Sequence, residues 1–187
     1  DFPRQDHAPI APWLAQKTGM IAIGGPVWSR EGVGYGNALL SRYPVDRVRR
    51  WDLSVGRHEP RGALDVELTI CGRTVHVLNT HLGLWPRERP QQADRLLELL
   101  ALSRRDLTIL MGDLNEWHGW GKSLRGLRRV FGSPAAPVTF PARWPVLALD
   151  RIWIFPAQAL LTVEAHDTPR SRLASDHLPV KADIYLP

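Results

Sequence analysis

Four short segments of this sequence put polar side chains where an apolar strand would end. The run Leu107-Thr108-Ile109-Leu110-Met111 gives way to Gly112-Asp113-Leu114-Asn115, and Val75-His76-Val77-Leu78 gives way to Asn79-Thr80-His81-Leu82. Leu147 to Ile154 is apolar except for Asp150 and Arg151, and Ser175-Asp176-His177 stands just ahead of Leu178-Pro179-Val180. Carboxylates, imidazoles and amides are the groups that move protons, bind phosphoryl oxygens and hold divalent cations. A carboxylate inside an apolar stretch needs a partner, and for Asp150 the candidates are a histidine, an arginine or a metal. Adjacent strand residues point to opposite faces, so Asp176 and His177 reach one site only from a loop. Each segment also has a plainer reading. Gly, Asp, Asn and Ser suit turns, and a histidine at a strand end is commonly a hydrogen-bonded structural residue.

The elements that must position these groups are legible from periodicity. Tyr35-Gly36-Asn37-Ala38-Leu39-Leu40-Ser41 reads as a buried strand. Ala63 to Ile70 alternates, with Leu64, Val66, Leu68 and Ile70 on one face and Asp65, Glu67 and Thr69 on the other; that predicts a half-buried strand. Cys71-Gly72-Arg73 turns it into Val75 to Leu78. Glu88 to Arg104 carries Ala93, Leu96, Leu97, Leu100 and Ala101 at helical spacing, and Leu107 to Met111 reads as a fully buried strand. Shorter helices are expected over Ala11 to Thr18, with Gly19 as C-cap, and over Ser123 to Val130. Ile152 to Ile154, Leu160 to Glu164 and Val180 to Tyr185 supply further strands. The pattern is a mixed α/β layered domain.

Composition bounds the rest. At 187 residues, against ~150 per domain, the chain is one domain. A content of 44% hydrophobic and 23% charged residues excludes disorder. The net charge of +5 and a pI near 10.0 suit phosphate-bearing partners without identifying one. The single cysteine, Cys71, excludes an intrachain disulfide and a cysteine-based metal cluster. No apolar run approaches the ~20 residues of a transmembrane helix. No signal-peptide pattern opens the chain, which says little of its compartment; a cytoplasmic location is the working expectation. The sequence begins Asp1-Phe2-Pro3-Arg4 without a methionine, and a piece of a longer protein is expected.

In order along the chain, His81, Asp113 with Asn115, Asp150 and Asp176-His177 resemble the motifs of the endonuclease/exonuclease/phosphatase superfamily, which includes deoxyribonuclease I, exonuclease III and neutral sphingomyelinase. The resemblance runs from Tyr35-Gly36-Asn37-Ala38-Leu39-Leu40-Ser41-Arg42 to the C-terminus. Glu59-Pro60-Arg61-Gly62 and Asn79-Thr80-His81-Leu82-Gly83 are similar to a bacterial branch of it. The resemblance implies a β-sandwich flanked by helices, in four layers α/β/β/α, with residues 1–187 forming one such domain without its first strands. It also implies metal-dependent hydrolysis of phosphoesters, with Mg²⁺ or Mn²⁺ as cofactor.

The resemblance pairs Asp150 with His177, which would contact the phosphate. Asp113 would accept a proton from the attacking water while Asn115 donates to a phosphoryl oxygen; whether Asp113 or His177 is the base stays open. Glu59 and His81 match a second acid–histidine pair, Asn37 and Arg61 match positions lining the substrate cleft, and Asp176 matches a carboxylate near the metal. The principal glutamate ligand of the family is expected upstream of Asp1. Glu31 is not expected to replace it, and the chain alone is expected to hold Mg²⁺ weakly.

Three functions are carried forward. The first is a nuclease acting on DNA or RNA, for which the basic runs at Arg47 to Arg50, Arg104-Arg105, Arg125 to Arg129 and Arg170 to Arg172 would follow a backbone. The second is a phosphodiesterase or phosphatase acting on a lipid or small molecule. The third is a binding domain without catalysis. Trp85, Trp117, Trp120 and Trp144 stand in loops near the polar segments, where they would stack bases, bind a lipid or sugar, or cap the core. Oligomeric state has no signature in the sequence.

Overall fold

Two alternating patterns, on the strands containing Leu64 and Val75, decide the central layer. The computed structural model describes residues 10–30, 33–103 and 106–186; Asp1, Glu31 and the Arg104-Arg105 pair fall outside them. Strands β3 (Val45–Asp52), β4 (Gly62–Ile70), β5 (Arg73–His81), β6 (Leu107–Asp113) and β7 (Asp150–Phe155) form one sheet in the order β3-β4-β5-β6-β7. Only β5 and β6 are parallel, joined by the crossover helix α2 (Arg89–Ser103); the other neighbours are antiparallel.

Each face of this sheet is covered. On one, Ala63, Leu78, Leu110 and Trp153 pack against Ala93, Leu96 and Leu100 of α2 and against Leu124, Leu127 and Phe131 of α3 (Lys122–Phe131). On the other, Leu64, Val66, Val75, Val77 and Ile154 meet a second β layer made of two hairpins. These are β1 (Ile21–Arg30) with β2 (Val33–Ser41), contributing Ile23 and Leu39, and β8 (Leu160–Ala165) with β9 (Val180–Ile184), contributing Leu160 and Ile184. Helix α1 (Ile10–Thr18) lies on the first hairpin, and α4 (Pro169–Ala174) precedes β9. The result is the four-layer α/β/β/α arrangement. No helix among the described residues is long and apolar enough to cross a membrane.

Two sequence expectations change. β4 is not half-buried: Asp65 and Glu67 are as enclosed as Leu64 and Val66. The polar face is tolerated because it is paired. Asp65 Oδ1 bonds His76 Nε2 of β5 at 2.8 Å, and its Oδ2 accepts from Trp51 Nε1 of β3 at 3.0 Å, with Arg49 at 3.2 Å. Part of the run Arg47 to Arg50 is thereby engaged within the fold, while Arg47 and Arg50 stay exposed. The run lies in the edge strand β3, whose Arg49 reaches Asp65 and Glu67 while Arg50 donates to the Gly24 carbonyl at 2.8 Å. Strand β1 escapes a periodicity reading because Gly24-Gly25-Pro26 looks like a breaker.

The Cys71-Gly72 pair closes the β4–β5 hairpin with both residues at positive φ (51° and 77°), the geometry of a two-residue type I′ turn. Cys71 is exposed. At the opposite end of β6, Gly112 has φ 138°, and a Cβ there would run into the Thr80 carbonyl of β5. Only glycine lets β6 press against β5 at the level where the polar segments begin.

Candidate active site

Register places the first three groups. His81 of β5 is paired with Asp113 of β6, and Asp113 with Asp150 of β7. Partners in register point to the same side of a sheet, so these residues form one row across three strands. The row lies on the face that carries Val75, Val77 and Ile154, at the edge of the outer hairpins. Beyond the row the chain continues as Leu82 and Leu114, whose amides bond the Asp113 and Leu149 carbonyls at 2.9 and 3.0 Å.

His177 comes from the loop between α4 and β9. The loop is pinned by the Ala142 amide on the Asp176 carbonyl (2.6 Å) and the Leu178 amide on the Thr139 carbonyl (2.9 Å). The imidazole leans on the Phe140 ring, centroids 4.8 Å apart, and its Nδ1 meets Asp150 Oδ2 at 2.8 Å. Thr139 Oγ1 donates to the same carboxylate oxygen at 2.6 Å. With Nδ1 so engaged, Nε2 faces Asp113 Oδ2, 3.9 Å away. Burial alone would depress the His177 pKa. The bond and charge of Asp150, with Asp113 and Asp176, outweigh it and raise the pKa.

His81 is arranged oppositely. Asn115, in the left-handed region at φ 48°, donates Nδ2–H to the Leu82 carbonyl at 2.9 Å, and the same nitrogen lies 3.0 Å from His81 Nε2. A carbonyl only accepts, so the amide orientation is fixed and its second hydrogen points at Nε2. From these partners the His81 proton is assigned to Nδ1, which donates to Tyr35 Oη at 2.7 Å. Protonating Nε2 would set two donors against each other. Burial, helped by the Arg61 guanidinium, lowers the His81 pKa to about 4.

Tyr35 Oη also accepts from Arg61 Nη1 at 3.0 Å, which leaves its own hydrogen for another partner, and Arg61 Nη2 is held by Glu59 Oε2 at 2.7 Å. Asp113 accepts the Asn115 amide on Oδ1 at 2.8 Å, so its Oδ2 is the oxygen turned between the two imidazoles. Burial raises its pKa against the Asn115 bond, and the nearby Asp150 charge adds to the rise.

The structure thus brings His81, Asp113, Asn115, Asp150 and His177 into one cluster, with Arg61 behind Tyr35. It departs from the sequence reading in two places. Glu59 pairs with Arg61, and His81 takes Tyr35 in its stead, because the guanidinium stands on the carboxylate side of the phenol. Both Asn115 side-chain hydrogens are engaged, so this amide orients His81 rather than offering a free donor to a phosphoryl oxygen. Asn37, expected to line the cleft, donates to the Gly62 carbonyl at 2.8 Å and so ties β2 to the segment that carries Arg61, which leaves that expectation open. Tyr35 and Thr139 join the site without having been among the residues expected from the sequence to act in it. For Tyr35 a signal existed: Tyr35, Asn37, Leu39 and Ser41 alternate on one face of β2, and the last two are buried.

The same donor set bears on a divalent cation. Asp113, Asp150 and His177 offer ligand atoms within 4.8 Å of one another. Asp150 already accepts from His177 and Thr139, and an imidazole is a poor match for Mg²⁺. Asp176 lies exposed beside His177, outside that trio. These residues make no closed oxygen cage. They fit an open site, in which one or two carboxylates share the ion with water and substrate phosphate, the common habit of Mg²⁺.

Comparison with known proteins shows the family and the fold. The profile of the Endonuclease/Exonuclease/phosphatase family matches residues 3–177. The uncharacterized protein YbhP of Escherichia coli (strain K12) is 36% identical over 163 residues, 81% of this chain and 63% of that protein. The chain thus spans less than two thirds of the length of this relative. Among solved structures, a mannosyl-6-phosphatase of Bacteroides thetaiotaomicron VPI-5482 superposes with a TM-score of 0.76 at 17% identity, over 94% of this chain and 81% of that one. A beta toxin variant of Staphylococcus aureus with bound magnesium ions has a TM-score of 0.72 at 17% identity, over 92% and 80%. Such low identities speak for the fold.

Proposed function

We infer, from the premise that this chain belongs to the endonuclease/exonuclease/phosphatase family, that its His81–Asp113–Asp150 row and His177 hydrolyse a phosphodiester. The family implies a metal-dependent phosphoester hydrolase; the diester is our reading. The observation that carries it is Asp113 Oδ2, a carboxylate oxygen set between the His81 and His177 imidazoles, 3.5 and 3.9 Å from their Nε2 atoms.

In this reading Asp113 Oδ2 orients the attacking water and takes its proton, a task suited to a carboxylate that burial has made more basic. His177, held by Asp150, presents Nε2–H to a phosphoryl oxygen and offsets the charge that develops there. His81 and Asn115 fix Tyr35, whose hydroxyl hydrogen is directed at a second phosphoryl oxygen. A carboxylate of the Asp113–Asp150 pair, with water, substrate phosphate and Asp176 on the adjoining loop, would hold Mg²⁺ or Mn²⁺, which when bound supplies Lewis-acid polarisation of the phosphoryl group.

The test is hydrolysis of bis(p-nitrophenyl) phosphate and of p-nitrophenyl phosphate by the purified protein at millimolar Mg²⁺. Diester cleavage that EDTA stops and that His177→Ala loses is expected. Cleavage of the monoester alone, turnover indifferent to EDTA, or no turnover overturns the reading. Tyr35→Phe removes one charge-assisted donor, and a drop of about 10- to 100-fold in diester kcat/KM is expected from that loss. An unchanged kcat/KM would show the phenol to be a mere spacer between His81 and Arg61.

A further inference from the structure

Tryptophan is sharply partitioned in this protein. Trp153 is fully buried, and Trp51 is enclosed enough to bond Asp65. Four others among the described residues are 60–80% exposed: Trp85, Trp117, Trp120 and Trp144. All four stand on the loops that continue from, or lead into, the catalytic row. Trp85 follows His81 of β5, Trp117 and Trp120 follow Asp113 of β6, and Trp144 precedes Asp150 of β7. Leu84 (62% exposed) and Val146 (70%) extend the same apolar rim.

These side chains are held out rather than left loose. Buried Glu88 accepts the Trp85 amide at 3.0 Å, and buried Gln92 accepts the Gly83 amide at 2.8 Å. Buried Glu116 accepts from Ser123 Oγ at 2.6 Å and from the His118 amide at 3.3 Å. Both loops press so closely on these carboxylates that a Cβ at Gly83 or Gly121 would run into Glu88 or Glu116. Trp85 stacks on His58 (5.8 Å, 28°) and Trp120 on His118 (5.5 Å, 21°). An open cleft of about 690 Å³ lies between Trp85 and Trp117.

The exposed charge on the loops that carry the tryptophans is basic, with the acids Glu59 and Asp176 exposed on neighbouring segments and Glu59 paired with Arg61. Over residues 82–90, 114–125 and 132–149 the exposed charged side chains are Arg87, Lys122, Arg125 and Arg143, while the acids Glu88 and Glu116 are buried. The rim therefore combines amphipathic aromatic rings, exposed aliphatics and basic residues. Base stacking uses the rings and the charge but has no use for Leu84 and Val146, which present no π face. The interfacial layer of a bilayer uses all three: rings at headgroup level, aliphatics at the acyl boundary and basic side chains on lipid phosphate.

We propose that this tryptophan rim docks the protein on an anionic lipid bilayer, with the catalytic row facing the membrane and a lipid phosphodiester as its substrate class. The substrate clause rests on the hydrolase reading above; the docking does not.

Binding to vesicles of phosphatidylcholine with phosphatidylglycerol, compared with phosphatidylcholine alone, separates the two. Expected are sedimentation with the anionic vesicles, a blue shift of tryptophan emission, and weaker partition as salt rises. Trp117→Ser with Trp120→Ser should weaken partition about tenfold or more, with an unchanged far-UV circular dichroism spectrum. His177→Ala should bind vesicles as the parent does even though it has lost hydrolysis, so failure of catalysis and failure of docking read differently. Absence of binding to anionic vesicles, partition unmoved by the double substitution, or tryptophan quenching by a single-stranded oligonucleotide at concentrations below those of lipid would each overturn the proposal.

Discussion

Asp113→Asn is expected to lower diester turnover about a thousandfold, the scale of a lost general base, and at the same time to raise the melting temperature. The second effect follows from the first site's electrostatics. Burial lifts the folded-state pKa of Asp113 above its unfolded value, so its ionised form is the less stable one in the fold. Such a group favours folding below its unfolded pKa, and that advantage is lost as pH rises through the folded one. At neutral pH the carboxylate is therefore a burden that an amide of the same shape does not carry. Asparagine still offers an oxygen to the Asn115 amide, now 2.8 Å from Oδ1, so the left-handed turn at Asn115 keeps its anchor. Thermal unfolding at neutral pH, measured beside kcat, decides it. A variant that is both inactive and less stable would mean that Asp113 holds the turn together rather than moving a proton.

The row to which Asp113 belongs shows what a sequence makes visible. Each of its members ends or begins an apolar run, and that contrast is plain in a string of letters: His81 after Val75 to Leu78, Asp113 after Leu107 to Met111, Asp150 before Ile152 to Ile154. The spatial row is less visible, because it depends on the register of three strands, two of them joined through α2. Partners from distant loops are less visible still. Thr139 reaches Asp150 from an irregular segment with no period to betray it. The Glu59–Arg61 pair displaces the expected Glu59–His81 pair because a guanidinium two residues away competes for the same carboxylate. The pairing of Arg49 in the basic run of β3 was hidden for the opposite reason. Its counter-ions, Asp65 and Glu67, lie on the neighbouring strand, where alternation alone had assigned them to solvent.

That paired face carries the other large effect. Asp65→Ala is expected to remove about 3–5 kcal/mol of unfolding free energy, the usual result of leaving a buried partner uncompensated. Asp65 is 1% exposed, and its removal strips His76, itself fully buried, of its Nε2 partner and Arg49 of an anion. Burial pushes the Asp65 pKa up, but the bonds from His76 and Trp51 and the Arg49 charge prevail and hold it below the usual carboxylate value. The sign is then fixed. A depressed carboxylate stabilises the fold fully above its unfolded pKa, about 4, and loses that contribution as pH falls through the folded value. Urea unfolding at neutral pH and below pH ~4 checks both parts: the alanine variant should be weaker at neutral pH and should lack the parent's acid-dependent decline. A loss under ~1 kcal/mol would reduce the network to surface electrostatics.

The hairpin turn at Cys71 has a practical consequence. It lies at the far end of the nine-residue β5 from His81, roughly 30 Å away at ~3.3 Å per residue. The sequence has one thiol, and it is exposed there. A dye or surface linker attached through it would sit at the tail of the molecule, leaving the cleft outward and unobstructed. Under oxidising conditions the same thiol joins two copies tail to tail, a twin-headed particle whose catalytic ends face away from each other.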